Sequence, residues 1–300
     1  LGFKNVEIFQ PLRISQGYGV HKSIVDEIRS CAATLMITVD VGITDVEAIA
    51  YAKSLGIETI VTDHHLPKEE LPQAIAILNP NQKGCTSDLG HLCGTGVAFY
   101  LILALKSHLQ KNNLFTGGFD CKSLLDLFAL GTITDMVPLI EENRVLVKHG
   151  LNILENTTRP SLRLLLNALE LGDTTLSTSD IGFKIAPKLN ALSRLEKGLR
   201  PLDLLLETNH ERLSQWVPEV FETHKERVSL QANAVKKCEQ ILQKNPPKDY
   251  IWIFDESFHK GVIGLIATKL SQTYSLPTFV GSLNSSGKFR GQLGFLQRVY

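Results

Sequence analysis

TLMITVDVGITDVEAIAYAKSLGIETIVTDHH, residues 34–65, is the stretch on which the fold turns. TLMITVD (34–40) is a short apolar, β-rich run that ends on Asp40. VGITDVEAIAYAKSLG (41–56) then places apolar residues at helical spacing and stops at Gly56. IETIVTD (57–63) is a second strand-like run, ending on Asp63 and followed at once by His64 and His65. AIAILNP (74–80) predicts a third strand, closed by Asn-Pro. Strand, helix and strand joined by short connections are the signature of a parallel sheet, so the expected class is α/β. Asp40 and Asp63 then stand at the carboxyl ends of strands, the edge where open parallel sheets collect their ligands.

Working outward, GTGVAFYLILALKSHLQ (94–110) and SLLDLFALGTIT (123–134) are too apolar for surface helices and should pack against that sheet. The second delivers Asp135 at its end, and Pro138 forbids continuation. RPSLRLLLNALEL (159–171) predicts another helix, whereas SDIGFKIAPKLNALSRL (179–195) reads as an irregular segment of mixed small, basic and apolar residues. From about 203 to 243 the pattern is helical and charged, as expected of a helix bridging two domains, and KNPPKD (244–249) breaks it. YIWIFD (250–255), GVIGLIATKLSQTY (261–274), PTFVGSL (277–283) and KFRGQLGF (288–295) predict a β-α-β-β set. The expected organisation is a main domain over 1–202, a connecting helix over 203–245 and a smaller α/β domain over 246–300.

The 300 residues are 43% hydrophobic and 21% charged with no formal net charge, ordinary composition for a globular protein. No overall basic field advertises nucleic acid, although a local groove can still be basic. Five scattered cysteines without a C-x-x-C pair argue against a disulfide scaffold and for a reducing, cytoplasmic location. No apolar run reaches membrane-spanning length, so no membrane partner is expected.

Asp40, Asp63, His64, His65 and Asp135 form the strongest chemical cluster in the sequence. Carboxylate oxygen with imidazole nitrogen suits manganese, zinc or iron, and a mainly carboxylate set suits manganese or magnesium. The plainer reading of each Asp is a turn or a helix cap. GTGV (94–97) is read as close helix packing rather than a phosphate loop, since no Lys-Ser follows it. Cys85, His91 and Cys93 make only three zinc-type ligands, with no fourth at normal spacing.

VTDHH (61–65), ITVDVGI (37–43) and GTITDMVPL (131–139) together resemble the DHH phosphoesterase superfamily. RISQGYGV (13–20), LCGTGVAFYLILAL (92–105), IGFKIAPKLNALSRL (181–195) and FHKGVIGLIATKL (258–270) further resemble its RecJ-type single-strand-specific exonucleases. The resemblance runs from about residue 13 to 295. It implies a DHH phosphoesterase domain joined by the long helix to a smaller DHH-associated domain. It also implies a two-metal site, filled by manganese or magnesium, that hydrolyses phosphodiester bonds of single-stranded DNA from the 5′ end in repair and recombination. A single-strand-binding protein or a helicase is the protein partner it suggests.

By motif, the resemblance makes Asp40, His64 and Asp135 metal ligands and turns His65 toward the scissile phosphate. Asp63 would orient a histidine through its ring N–H, or would simply cap the turn. Arg13 would contact phosphate and Tyr18 would stack on a base, the alternative being a Tyr packed in a Gly-Tyr-Gly turn. Lys188, Asn190 and Arg194 would line the substrate backbone, with Lys188 standing where the family has Arg. His259 would open a helix whose amides meet an anion, and Lys288 and Arg290 would clamp the 5′ end, Lys288 replacing the family's Ser.

The family's Asp-x-Asp motif has no counterpart in LGFKNVEIFQPLRISQ (1–16). The expectation is a chain that starts after that motif and holds part of the metal site. A non-catalytic nucleic-acid-binding relative is the first alternative. A phosphodiesterase of short oligonucleotides or cyclic dinucleotides is the second.

Overall fold

The computed structural model describes residues 3–12, 14, 16–115, 117–283 and 289–294; side chains of 283, 289, 290 and 292–294 lie outside that description. The chain divides into two compact units, 1–186 and 187–300.

In the first unit β1 (Leu35–Val39), β2 (Glu58–Thr62) and β3 (Ala76–Leu78) form a parallel sheet in the order β1-β2-β3. The β-branched runs explain the extended backbone: branching at Cβ suits a pleated surface better than a helix. The crossover from β1 to β2 carries α2 (Val46–Ser54), which buries Ala48, Ile49 and Ala52. An additional helix, α1 (Lys22–Ser30), packs on α2 through Ile24, Val25 and Ile28. These residues join Met36, Ile43, Ile57 and Val61 in one core. The strand assignments agree with the sequence pattern, but β1 is not buried on both faces. It has one strand neighbour among the described residues, and Leu35, Ile37 and Val39 stay about half exposed.

α3 (Gly94–Lys111) packs against β1 and β2 as its apolarity predicted. α4 (Leu125–Thr134) differs from expectation: it packs chiefly on α5 (Glu141–Glu155) and on α3. The charged α5 hides a stripe of Val147, Gly150 and Leu154. Gly150 makes the α4–α5 approach possible, since a Cβ there would stand 2.2 Å from the Leu125 carbonyl oxygen and 2.7 Å from the Ala129 Cβ. Backbone cannot swing aside, so Gly150→Ala should cost about 1–3 kcal/mol of stability. The urea midpoint checks it: a lower midpoint at unchanged slope is expected, and an unmoved midpoint refutes the close approach. After α6 (Pro160–Ala168), a π-helical turn (Asp180–Ile185) ends the unit.

The second unit holds α7 (Ala186–Leu195, from Pro187 onward), α8 (Pro201–Leu206) and the 35-residue α9 (His210–Lys244). The segment expected to be irregular is thus helical. Ile181, Ile185, Leu189, Leu192 and Leu195 are all buried at spacings of three and four, a stripe that the interspersed basic residues obscured. The single helix expected over 203–243 is broken at 207–209, where Glu207 is extended and the Asn209 side chain accepts the amides of Glu211 and Arg212 to start α9. β4 (Ile251–Phe254), α10 (Ile263–Tyr274), β5 (Thr278–Leu283) and β6 (Phe289–Gly294) follow as predicted. β4 and β5 are parallel, β5 and β6 antiparallel. α9 lends Ala234, Cys238 and Leu242 to the core under this sheet, and burial pushes the Cys238 thiol up to about 12. Among the described residues no helix is long and apolar enough to cross a membrane.

Candidate metal centre

Two backbone bonds extend the parallel ladder one residue past its strands: Asp40 N–H donates to Thr62 O at 2.9 Å and Asp63 N–H to Leu78 O at 3.0 Å. Both carboxylates are therefore carried on rigid strand ends. Asp40 has φ 64°, a left-handed backbone that Asp tolerates better than most residues. The turn after it contains Gly42 at φ 111°, and Thr38 Oγ1 donates to Val41 O to close it.

Asp63 is buried, with 1% of its surface exposed. Its Oδ2 accepts the Ile43 amide at 3.0 Å, and its Oδ1 accepts the amides of His64 and His65 at 2.8 and 3.1 Å. His65 Nδ1 lies 2.7 Å from the same Oδ1. Burial alone would raise this carboxyl, but the Ile43 amide, the His65 ring and the two histidine amides together hold it below the usual carboxylate range. Asp63 thus ties both βα loops together, orients the His65 ring and caps its own turn. The two sequence readings of this residue describe one and the same geometry.

The histidine pair is gripped from the other side as well. Asn79 Nδ2 donates to His65 O at 2.8 Å, and Asn81 Nδ2 donates to His64 O. Sequence reasoning took Asn79-Pro80 only as the end of a strand. The available signal was that two amides follow the third strand at the same sheet edge.

His64 Nε2 sits 3.2 Å from Asp40 Oδ1 and 3.5 Å from Asp135 Oδ2. Asp135 arrives as the C-cap of α4, just where the apolar helix runs out. The Asp40 carboxylate raises the pKa of His64 against the opposing effect of burial, with Asp135 adding to the rise. Burial raises the pKa of Asp135, and the charge of Asp40 adds to it. Asp40, His64 and His65 bring ligand atoms within 4.8 Å of one another. His64 Nε2 is buried and makes no aligned hydrogen bond to either carboxylate. A cation placed among these groups would satisfy that nitrogen and offset the charge of the two acids, so the donor set fits a divalent metal.

Gly94 opens α3 directly beside Asp40: a Cβ there would lie 2.3 Å from Asp40 Oδ1. GTG is close packing, as read, but its partner is this carboxylate, and the N-terminal end of α3 favours the negative charge. Cys85, His91 and Cys93 lie apart in three settings, beside Ser87, Glu142 and Thr132 respectively.

Of the residues chosen for substrate, Tyr18 is 65% exposed in a turn between Gly17 and Gly19, both at positive φ. Asp45 pins that turn by accepting the Val20 amide at 2.7 Å. Lys188, Asn190 and Arg194 lie on α7 in the second unit. Arg194 donates to Gly261 O at 3.2 Å, and the Gly261 amide donates to His259 Nδ1, so His259 and Arg194 meet on one loop. His259 precedes α10 by four residues and does not open it, because the chain turns at Gly261 first. Arg13 and Lys288 lie outside the described residues. Arg290 is placed by its backbone alone, opposite Ser282.

A family model described as "DHH family, N-terminal domain" matches residues 3–132. The single-stranded-DNA-specific exonuclease RecJ of Salmonella typhimurium is 36% identical over all of this chain and 54% of its own length. The RecJ of Escherichia coli is 35% identical with the same coverage. The chain therefore spans about half the length of these curated relatives. A crystal structure of exonuclease RecJ bound to manganese superposes with a TM-score of 0.80 at 32% identity, covering 97% of this chain and 70% of that one. RecJ of Thermus thermophilus in complex with Mn2+ gives 0.77 at 31% identity, over 93% and 40%. Sequence and fold agree that the chain belongs to the DHH family, and within it is most like RecJ.

Proposed function

We propose that this chain carries the metal-dependent hydrolytic centre of an exonuclease that removes nucleotides from the 5′ end of single-stranded DNA during repair and recombination. The observation that carries the reading is the buried, unsatisfied His64 Nε2 between Asp40 and Asp135. Manganese or magnesium is the metal, in keeping with the relatives solved with each. When bound, the metal lowers the pKa of the attacking water and offsets charge on the phosphate. Asp40, His64 and Asp135 hold it. A second ion of a two-metal site requires further donors beyond these.

His65, with 57% of its side chain exposed against 14% for His64, is the histidine that meets the scissile phosphate. Asp63 fixes its tautomer by accepting a hydrogen bond from Nδ1–H, which leaves Nε2 turned to the substrate. Tyr18 offers an exposed ring on which a base can stack, a contact that does not depend on sequence. The protein works in the cytoplasm, where a single-strand-binding protein or a helicase presents the strand.

The test uses a 5′-phosphorylated, 3′-labelled oligonucleotide, single-stranded or duplex, with manganese or with chelator. Manganese-dependent shortening of the single strand alone is expected of a protein that joins this chain to the donors of the second ion. His65→Ala should slow it about 100- to 1,000-fold while manganese binding, measured by calorimetry, persists. Equal attack on duplex, or cleavage that survives the chelator, would sink the reading.

A further inference from the structure

The connection that leaves the metal centre is strained, and one buried side chain holds it. Asp135 closes α4 and Glu141 opens α5. Met136, directly after Asp135, has φ 61°, and Glu141 has φ 41°. Both ends of the connection therefore lie in a backbone region that residues other than Gly seldom adopt. Such a backbone persists only where its surroundings over-determine it.

Asn143 supplies that hold. It sits in the first turn of α5 with none of its surface exposed. Its Nδ2 donates to Pro138 O at 3.0 Å and to His91 O at 2.7 Å. Pro138 belongs to the connection that Asp135 begins. His91 belongs to the segment that leads into α3 at Gly94, the glycine that abuts Asp40. The neighbouring Glu142 reaches the same segment, with Oε2 3.0 Å from Nε2 of the buried His91 ring.

One primary amide thus spans the segment after Asp135 and the segment that backs Asp40. Both acceptors are carbonyl oxygens, so the clasp needs two N–H groups on one short side chain, which Asn has and Asp and Leu lack. The other end of the amide is left over: Asn143 Oδ1 is buried and has no hydrogen-bond partner among the described residues. A buried amide satisfied at one end alone is a poor source of stability, because the orphaned acceptor offsets what the donors gain. Its place in the core is explained by the geometry that it fixes.

We propose that Asn143 is a positioning residue of the metal centre, clasping the connection after Asp135 to the segment before Gly94 so that Asp135 stays within reach of His64 and Asp40. This rests on the reading of Asp40, His64 and Asp135 as metal ligands. Asn143 touches none of the three and acts through the backbone of Pro138 and His91.

The test measures manganese affinity by calorimetry and amide hydrogen exchange over residues 135–140 by mass spectrometry. Asn143→Ala and Asn143→Leu should each weaken manganese binding by about 10-fold and speed exchange in that segment. Asn143→Leu keeps the volume, so it remains informative if the cavity left by alanine prevents folding. Val147→Ala, on the same buried side of α5, should lower the melting temperature and leave both readouts unchanged. Wild-type manganese affinity in a folded Asn143 variant, where His64→Ala loses binding, would overturn the positioning role and spare the ligand assignment. An equal loss in Val147→Ala would also overturn it, since any loosening of α5 would then suffice. Manganese binding that His64→Ala leaves intact would remove the metal reading and this role with it.

Discussion

His64→Ala is expected to reduce manganese affinity by more than about 100-fold and to take strand cleavage below detection. Loss of a residue that merely orients a metal ligand costs about 10- to 100-fold, and His64 stands in the first position, between two acids. Removing the ring leaves Asp40 and Asp135 facing each other across a small gap, and the repulsion raises the Asp135 pKa further, so that protons compete with the metal. The fold should survive, because the backbone of His64 is held by Asp63 and Asn81 and not by its own ring. Calorimetry with manganese and a thermal melt separate the two effects. A folded variant that still binds manganese at wild-type strength refutes the ligand assignment.

Asp63→Ala should be the most destabilising single change at this sheet edge, by about 3–5 kcal/mol. It removes a buried acceptor of four hydrogen bonds and leaves the Ile43 amide, in a fully buried residue, without a partner. Asp63→Asn keeps the volume but turns an amide group toward other donors, so about half that loss is expected. The sign of the pH effect follows from the depressed pKa. The unfolded carboxyl titrates near about 3.9 and the folded one below that. The stabilisation is therefore complete above about pH 4–5 and disappears as pH falls through the folded value. Urea midpoints between about pH 5.5 and 3 should fall more steeply for wild type than for Asp63→Asn. Parallel curves for the two proteins would show that Asp63 is not the ionised anchor.

The sheet was legible because TLMITVD and IETIVTD are mostly β-branched where the intervening VEAIAYAKS is mostly not, and that contrast needs no tertiary information. The meeting of Asp40 and Asp63 was legible for a related reason: parallel strands all end at one edge, so acids closing two adjacent runs must be neighbours. What escaped were features made by packing. The helical stripe from Ile181 to Leu195 was hidden by the residues between, and α5 was not predicted, its buried side being a thin stripe that includes Gly150 against the Leu125 carbonyl. Asn79 and Asn81 were unreadable as anchors, since an amide that holds a backbone carbonyl looks in sequence like any turn residue. The neighbours of Lys188 on α9 come more than thirty residues later, and no short motif links them.

The left-handed backbone of Asp40 narrows what can replace it. Alanine there would lose the carboxylate and also strain the chain, so two effects would be confounded in any assay. Asparagine shares both the shape of aspartate and its tolerance of positive φ. Gly94, already within touching distance, leaves no room for a longer side chain such as glutamate. The variant that removes the Asp40 charge without straining the chain is therefore Asp40→Asn, and the same reasoning limits the replacements that natural variation can reach at this position without disturbing the sheet.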